Sequence, residues 1–460
     1  MWPSQVSPPN PQPSSLTPRG RASRPLRGAV KLPRRRRSVA PERVMTPGSC
    51  KTHQRESAPP CRENRKTPPP HIKAKHPKRA HADAAATNAG KFGAKEEAMS
   101  SEEILARYDN YYSGATDWDT AQQPAHDEHN NAAAAERYFT LITDFFEYGW
   151  GDAFHMAPLR PDWSFKRSMA YWEQNFVLTA GIQRDMKVAD LGMGIGGPMR
   201  RVVEFTGANM TGVTICQHQV NRANQITSTL PEYIQDRTEY LVGDYNDLPS
   251  SMKPSSYDAA YFMESLSHSE DRAIPLAQAA KIVKPGGIVA GWQWMLKPAF
   301  DYDNPRHMDL KRGMEYGGGL RNLNKPDARH EEYKRAGLEV LQSYDMGTDA
   351  IERGHLGWWK ALTTGVDLPS RLTSSHWGRK LTMGTVKILE TIGVAEPGTL
   401  RTALMLEHCG FSAATAGELG IFTPAWVTIA RVPTNKNDKE HQKRIEGLQA
   451  TIDLALKAKK

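Results

Sequence analysis

The residues best suited to chemistry lie in one short run, Asp190-Leu-Gly-Met-Gly-Ile-Gly-Gly197. Glycine lets the backbone turn sharply and lets a ligand approach the main chain. The run follows an apolar stretch, 187–191, that reads as a strand. It precedes a helix over 198–205 that opens on Pro198, a residue at home in a first helical turn. Gly192, Gly194 and Gly197 also satisfy the dinucleotide spacing Gly-x-Gly-x-x-Gly, which is weak evidence alone. Two features favour S-adenosylmethionine (SAM) over a nicotinamide cofactor. Asp190 immediately precedes the loop, the place for an acid facing the methionine end. No acid closes the next strand, where a nicotinamide enzyme needs one for ribose hydroxyls. The cofactor loop is thus assigned to Asp190, Gly192, Gly194 and Gly196.

Further candidates fall at the ends of the following strands. Asp244, with Tyr245 beside it, follows the third strand and is placed to accept from an adenine amino group. Glu264 and His268 follow the fourth strand, at the carboxyl edge where open sheets bind ligands. Glu264 is counted with the cofactor residues, and either of the two could orient a substrate or act as a base. Tyr148, Trp150, Phe154, Trp292 and Trp294 cluster near the same edge, and aromatic faces stabilise a sulfonium or a carbocation. Cys50, Cys61, Cys216 and Cys409 have no metal-site spacing, and neither a metal nor a disulfide framework is expected.

The elements that must position these residues follow from periodicity. Helical spacing of Tyr138, Leu141, Ile142 and Phe145 predicts an amphipathic helix over 132–146, ending in the glycines of Glu147-Tyr-Gly-Trp-Gly151. A second helix is expected over 165–180. Strands are expected over 187–191, 209–215, 239–242, 257–263 and 288–295, with helices over 198–205, 219–229 and 274–283 and a turn at 284–287. Strands alternating with helices at this pitch predict an α/β, doubly wound and mostly parallel sheet. Beyond residue 298 the alternation weakens. Helices over 327–336, 380–391 and 407–417 and a strand over 425–432 complete the sheet and a cap.

Charge divides the chain differently. Residues 1–98 carry 21 lysines and arginines against six acids. That surplus of 15 leaves residues 99–460 with a deficit of six in a chain of net +9. Half of the 32 prolines lie before residue 81. Such a segment cannot bury enough apolar surface to order itself, and it reads as disordered. Three roles stay open for it: a solvated extension with Met99 as the true start, an organelle transit peptide, or a polybasic contact through Arg34–Arg37. The basic pI therefore says nothing about the folded part, and no specific nucleic acid is expected. No run of 18 apolar residues spans a membrane. The expected division is a tail (1–98), a helical cap (99–180), a cofactor core (181–300), a substrate region (301–432) and a charged helix or tail (433–460).

With these residues in hand, the chain resembles sterol 24-C-methyltransferases, within the class I SAM-dependent methyltransferases, which implies a Rossmann-like, seven-stranded form of that sheet. Thr143-Asp-Phe-Phe-Glu-Tyr-Gly-Trp-Gly-Asp-Ala-Phe-His155 is similar to that family's Tyr-Glu-Tyr-Gly-Trp-Gly signature, with Phe146 in the first aromatic place. Asp190–Pro198, Val283-Lys-Pro-Gly-Gly287, Trp292–Met295, Gly378-Arg379 and Ile421-Phe-Thr-Pro424 resemble its later motifs. The departures are specific. Met193 replaces a cysteine, Gln293 stands in place of Glu, and an Asp is missing near Gly318. Val213-Thr-Ile-Cys-Gln-His-Gln219 looks more like tocopherol and cyclopropane-fatty-acid methyltransferases, in which Thr and Gln at the places of Thr214 and Gln219 touch SAM.

The resemblance implies that a sterol side-chain alkene attacks the methyl group, that a cation and a hydride shift follow, and that a base removes a proton. Tyr148 and Trp150 would stabilise charge, and Glu147, Asp152, His155 and His268 are the base candidates. It also implies a lipophilic substrate, a cytoplasmic or peripheral endoplasmic-reticulum location and a homo-oligomer. The alternatives are a methyltransferase for a tocopherol-like phenol, an amine or another lipid, and a binding protein without catalysis.

Overall fold

A computed structural model describes residues 131–365 and 376–434, with 439–440, 443, 446–450 and 452. The basic tail, its two cysteines and the first part of the expected cap lie outside the described residues. The chain opens on α1 (Asn131–Trp150) and α2 (Phe165–Thr179). There follow β1 (Lys187–Leu191), α3 (Gly197–Thr206), β2 (Asn209–Thr214), α4 (Gln217–Thr227), a single turn α5 (Glu232–Gln235), β3 (Thr238–Val242) and β4 (Tyr257–Met263). After a 3-10 turn at Leu266–His268 come α6 (Ala273–Ile282), β5 (Val283–Leu296), α7 (Pro305–Gly318), α8 (Pro326–Arg335) and β6 (Glu339–Asp345). The last elements are α9 (Met346–Glu352), α10 (Lys360–Thr363), α11 (His376–Thr391), α12 (Thr399–Glu418) and β7 (Phe422–Arg431).

One seven-stranded sheet results, in the order β3-β2-β1-β4-β5-β7-β6. β1 to β5 pair in parallel, and β7 runs against both its neighbours. Buried parallel strands require apolar side chains on both faces, and β1 is buried from Val188 to Leu191. One face packs Phe176, Met199, Val202, Val203 and Trp292 beneath α2 and α3. The other packs Leu276, Ala280, Phe262, Tyr333 and Leu338 beneath α6 and α8, where Leu448 and Ile452 also settle.

Several expectations change. The turn at 284–287 is an interruption inside β5, not its boundary. The pairing steps from Tyr257↔Val283 to Ala259↔Ile288, so the Pro-Gly-Gly segment bulges out with Gly286 at φ +81°. α7 and β6 were not anticipated. Asn304 caps α7 by accepting from Arg306 N, and Pro305 occupies its first turn, a start signal in plain sight. β7, which lies beyond the boundary expected at residue 300, pairs with β5 along most of its length. α1 runs through Gly149 to Trp150, and Gly151 at φ +93° ends it.

The sheet order reverses between β1 and β4. β2 and β3 build outward on one side of β1, and the chain then returns to the other side. In open sheets this is where the crevice for a ligand opens, beyond the carboxyl ends of the strands. The loop after β1 has no spare room there. A Cβ on Gly197 would lie 1.9 Å from the Asp152 carbonyl oxygen. Gly197→Ala is therefore expected to cost about 1–3 kcal/mol through overpacking, read as a lower denaturant midpoint at unchanged slope. An unaltered midpoint would contradict the contact.

Candidate active site

At this reversal point lies a cleft of about 1500 Å³, counted out to its mouth and with the open solvent there included. Its polar end is built by the strand termini. Asp190, Gly192, Met193 and Gly194 come from the end of β1, Thr214 from β2, Asp244 and Tyr245 from beyond β3, and Glu264 and His268 from beyond β4. Its apolar end is built by helices: Tyr138, Phe139, Phe146 and Trp150 from α1, Leu362 from α10, and Leu406, Cys409 and Gly410 from α12.

Asp190 is the most informative group. Its Oδ2 accepts the Tyr261 hydroxyl at 2.8 Å, while Oδ1 is buried and meets no donor. Burial outweighs the tyrosine's help and pushes its carboxyl up to about 7. An unmatched buried carboxylate oxygen is expensive and signals a missing cationic or N–H donor. The amino group of a SAM methionine end is such a donor. The glycines beside it fit a ligand drawn close to backbone. Gly192 (φ +101°) leaves no room for a side chain, since its Cβ would fall 2.2 Å from Ser265 Cβ. Gly194 (φ +56°) would bring a Cβ to 3.3 Å from the Phe154 ring. At the end of β2, Thr214 Oγ1 donates to Gln219 Oε1 at 2.5 Å, and Gln219 Nε2 donates to Thr143 Oγ1 at 3.1 Å. Asp244 Oδ1 accepts from Asn246 N at 2.8 Å, and the Tyr245 hydroxyl donates to Ser265 O at 2.9 Å, so the loop after β3 is fixed before any ligand arrives.

The segment Gly151–Met156 covers the site and is pinned by two carboxylates. Glu264 sits at φ +54°, an uncommon conformation for its type. Its Oε1 accepts from Met156 N and its Oε2 from Trp294 Nε1, each at 2.6 Å. Burial nevertheless holds its carboxyl well above the ordinary range. Glu173 accepts two bonds from Arg201 and lies 2.7 Å from His155 Nε2. Burial opposes its charge, but Arg201 and His155 outweigh that and hold the carboxyl down at about 2. Arg201 also donates to Asp152 Oδ1 at 2.8 Å. Asp152 and His155 both line the cleft, yet both are spent on this network.

His268 differs. Its Nδ1 lies 2.9 Å from Gly319 O, which can only accept, so the proton sits on Nδ1 and Nε2 keeps its lone pair. Phe139 packs edge-on at 4.9 Å and Tyr138 lies at 6.1 Å. Burial lowers its basicity to about 4, which keeps the ring neutral. Trp150 lines the cleft, donating Nε1 to His155 O at 2.9 Å and packing on Phe165.

Four expected residues are not in the cleft. Tyr148 is 90% exposed and Glu147 is clamped by Arg222 at 2.6 and 2.7 Å; both border a separate surface hollow. The reason is helical rotation: Phe139, Phe146 and Trp150 share one stripe of α1, and Glu147 and Tyr148 lie off it. Gly196 is the left-handed cap of α3, turned toward Tyr240 and Arg200. Trp292 is wholly buried against His155 and Phe176. Sequence reasoning missed Tyr138, Phe139, Leu320, Leu362 and Leu406. The first two were visible as a helical stripe, and the others depend on tertiary packing.

The Asp190 geometry predicts a proton-linked cofactor site. Without ligand its carboxyl is protonated below about pH 7, and a cationic amino group needs it ionised. Binding of S-adenosylhomocysteine should release a proton near pH 6 and weaken as pH falls from 7. Its folded pKa also lies above the unfolded value, so this group lowers stability as pH rises from about 4 to 7. Asp190→Asn should weaken binding, abolish the proton release and remove that stability slope. Calorimetry in buffers of different ionisation heat measures the first two. PH-independent binding by the unsubstituted protein would contradict the assignment.

Comparisons with known proteins agree with this architecture. Residues 189–291 match the methyltransferase domain family, and residues 370–434 match the sterol methyltransferase C-terminal family. The sterol 24-C-methyltransferase erg6 of Aspergillus fumigatus is 32% identical over 329 residues, covering 69% of this chain and 86% of that protein. The Saccharomyces cerevisiae sterol 24-C-methyltransferase is 29% identical over 337 residues, covering 72% and 86%. Among solved structures, a mycolic acid cyclopropane synthase complexed with SAH and CTAB shares the fold, with TM-score 0.50 at 16% identity over 65% of this chain and 98% of that one. Loop, fold and both matched regions lead to one conclusion: the chain is a SAM-dependent methyltransferase and belongs to the sterol 24-C-methyltransferase family.

Proposed function

We propose that the protein transfers a methyl group from SAM to the side-chain alkene of a sterol, in sterol biosynthesis. One observation carries the substrate class. Leu406, Cys409 and Gly410, within the stretch matching the sterol methyltransferase C-terminal family, wall the same cleft that Asp190 closes at its polar end. A lipophilic chain can thus lie along apolar and aromatic side chains with its end near the cofactor loop. The Thr214–Gln219 pair keeps a second reading alive, in which the acceptor is a tocopherol-like phenol or another lipid.

Bound SAM supplies an electrophilic methyl group on a positively charged sulfur. Asp190 and the glycine loop orient it, and the segment pinned by Glu264 and Glu173 shields the centre from water. Attack by the alkene on that methyl group would break its bond to sulfur, release S-adenosylhomocysteine and leave a cation on the substrate. Phe139, Phe146, Phe154, Trp150 and Trp294 line the cleft and present ring electrons to it. After a hydride shift, a C–H bond beside the cation is a strong acid and needs only a weak base. Neutral His268 can take that proton on Nε2. His155 is the poorer base, because Nε2 is engaged by Glu173 and Nδ1 is sealed from solvent. Tyr148 and Glu147 have no part in this scheme, given their positions. A lipid substrate also places the protein at a membrane surface such as the endoplasmic reticulum, and we include a homo-oligomer in this reading. Among the described residues no helix is long and apolar enough to cross a membrane.

The test is incubation of the full chain with labelled SAM and a panel of Δ24-sterols, tocopherol precursors and phosphoethanolamine. Label in a sterol alone supports the proposal, and label in a phenol or amine alone rejects it. Trp150→Ala is expected to cut turnover about thirtyfold, the equivalent of ~2 kcal/mol of cation stabilisation, with little change in S-adenosylhomocysteine affinity. Equal losses in both would argue against a cation-facing role. His268→Ala should lower kcat by roughly 10²–10⁴ and leave cofactor affinity intact. A depressed imidazole must stay neutral to act, so the acid limb of the wild-type rate should fall near pH 4 and not near 6.5. A limb at 6.5 would point to another base.

A further inference from the structure

α12 walls the cleft, and α11 packs on α12 with an apolar outer surface. On α11, Trp377 (79% exposed), Leu381 (73%) and Ile388 (62%) recur at helical spacing, and Ile392 (64%) extends the stripe just past its end. Lys380 and Lys387 are also exposed and fall together at one margin of that stripe, and Lys380 Nζ lies 5.7 Å from the Trp377 ring. The half-buried Met383, Val386 and Leu389 occupy other faces of the helix, which packs on α12. On α12 the same division recurs. Leu406, Cys409 and Gly410 line the cleft, while Leu404 and Phe411 are exposed. An amphipathic helix with an aromatic and branched apolar face and a basic margin fits the boundary of a lipid layer, where lysine stems lie along the apolar region and their ammonium groups reach the headgroups.

We propose that α11, with the exposed edge of α12, docks this protein onto a lipid bilayer that contains anionic lipid, so that one layer of helix separates bilayer from cleft. Charge supports this occupant, since the basic segment 1–98 carries the same sign as Lys380 and Lys387. Anionic headgroups complement Lys380 and Lys387 instead. The proposal rests on the sterol reading only for its purpose, which is access to a substrate dissolved in membrane.

Flotation of the full chain with phosphatidylcholine vesicles, with and without phosphatidylserine, tests it. High salt in a parallel series removes any purely electrostatic contribution of the N-terminal segment. The wild-type protein should float with both vesicle types, more strongly with phosphatidylserine, and keep most of its binding in high salt. The double variant Leu381→Glu/Ile388→Glu should partition at least tenfold less, with unchanged thermal midpoint and S-adenosylhomocysteine affinity. It should methylate sterol presented in cyclodextrin normally and sterol presented in vesicles poorly. A wild-type protein that does not float, binding that vanishes in salt, or a variant that floats equally would overturn the proposal. So would a change of oligomeric state in the variant, which would assign the face to a second copy. Vesicle binding lost in the variant while no sterol is methylated in either form would keep the docking surface and reject the sterol reading.

Discussion

A carboxylate buried in a sheet is costly unless each oxygen meets a donor, and Asp190 meets only one. Much of the site is organised around tolerating that deficit. Tyr261, on the neighbouring strand, holds one oxygen. The backbone of the glycine loop turns left-handed three times, at Gly192, Gly194 and Gly196, which only glycine does without strain. The unmatched oxygen then stands where the sheet order reverses, at the polar end of the cleft. A cationic amino group placed there would give that oxygen its donor.

The same logic operates above the loop with opposite sign. Glu173 is buried too, but Arg201 and His155 satisfy it so fully that it stays ionised. Glu264 is satisfied by a backbone amide and an indole. These two side chains tie the Gly151–Met156 segment to α2, α3, β4 and β5, and so hold Phe154, His155 and Trp150 over the cofactor loop. Fixed groups need no reorganisation when charge develops during a reaction. His268 completes the contrast, as a titratable group that burial keeps neutral and whose tautomer one carbonyl selects.

Much of this was legible in the sequence because its signals are local. Asp190 and its glycines, the strand ends at Thr214, Asp244 and Glu264, and the stripe of Tyr138, Leu141 and Ile142 are patterns within a few residues. What escaped depends on distance or rotation. Tyr148 sits in the family-like Glu-Tyr-Gly-Trp-Gly run, but one or two residues along a helix change the face entirely, and it points to solvent while Phe146 and Trp150 do not. Asp190 and Tyr261 are far apart in sequence, as are His155 and Glu173, so neither pairing leaves a local mark. β6 is a partly exposed edge strand with polar alternation, and its Glu-Val-Leu-Gln-Ser-Tyr-Asp sequence reads as loop until β7 pairs with it. α7 could have been read from Asn304-Pro305, and with it the Gly317-Gly318 wall of the cleft.

A crystal structure of the protein with S-adenosylhomocysteine tests the account at its centre. The amino group of the ligand should lie within hydrogen-bond reach of Asp190 Oδ1, with its chain along the backbone from Gly192 to Gly194. A ligand seated elsewhere while Asp190 Oδ1 stays unmatched would contradict it.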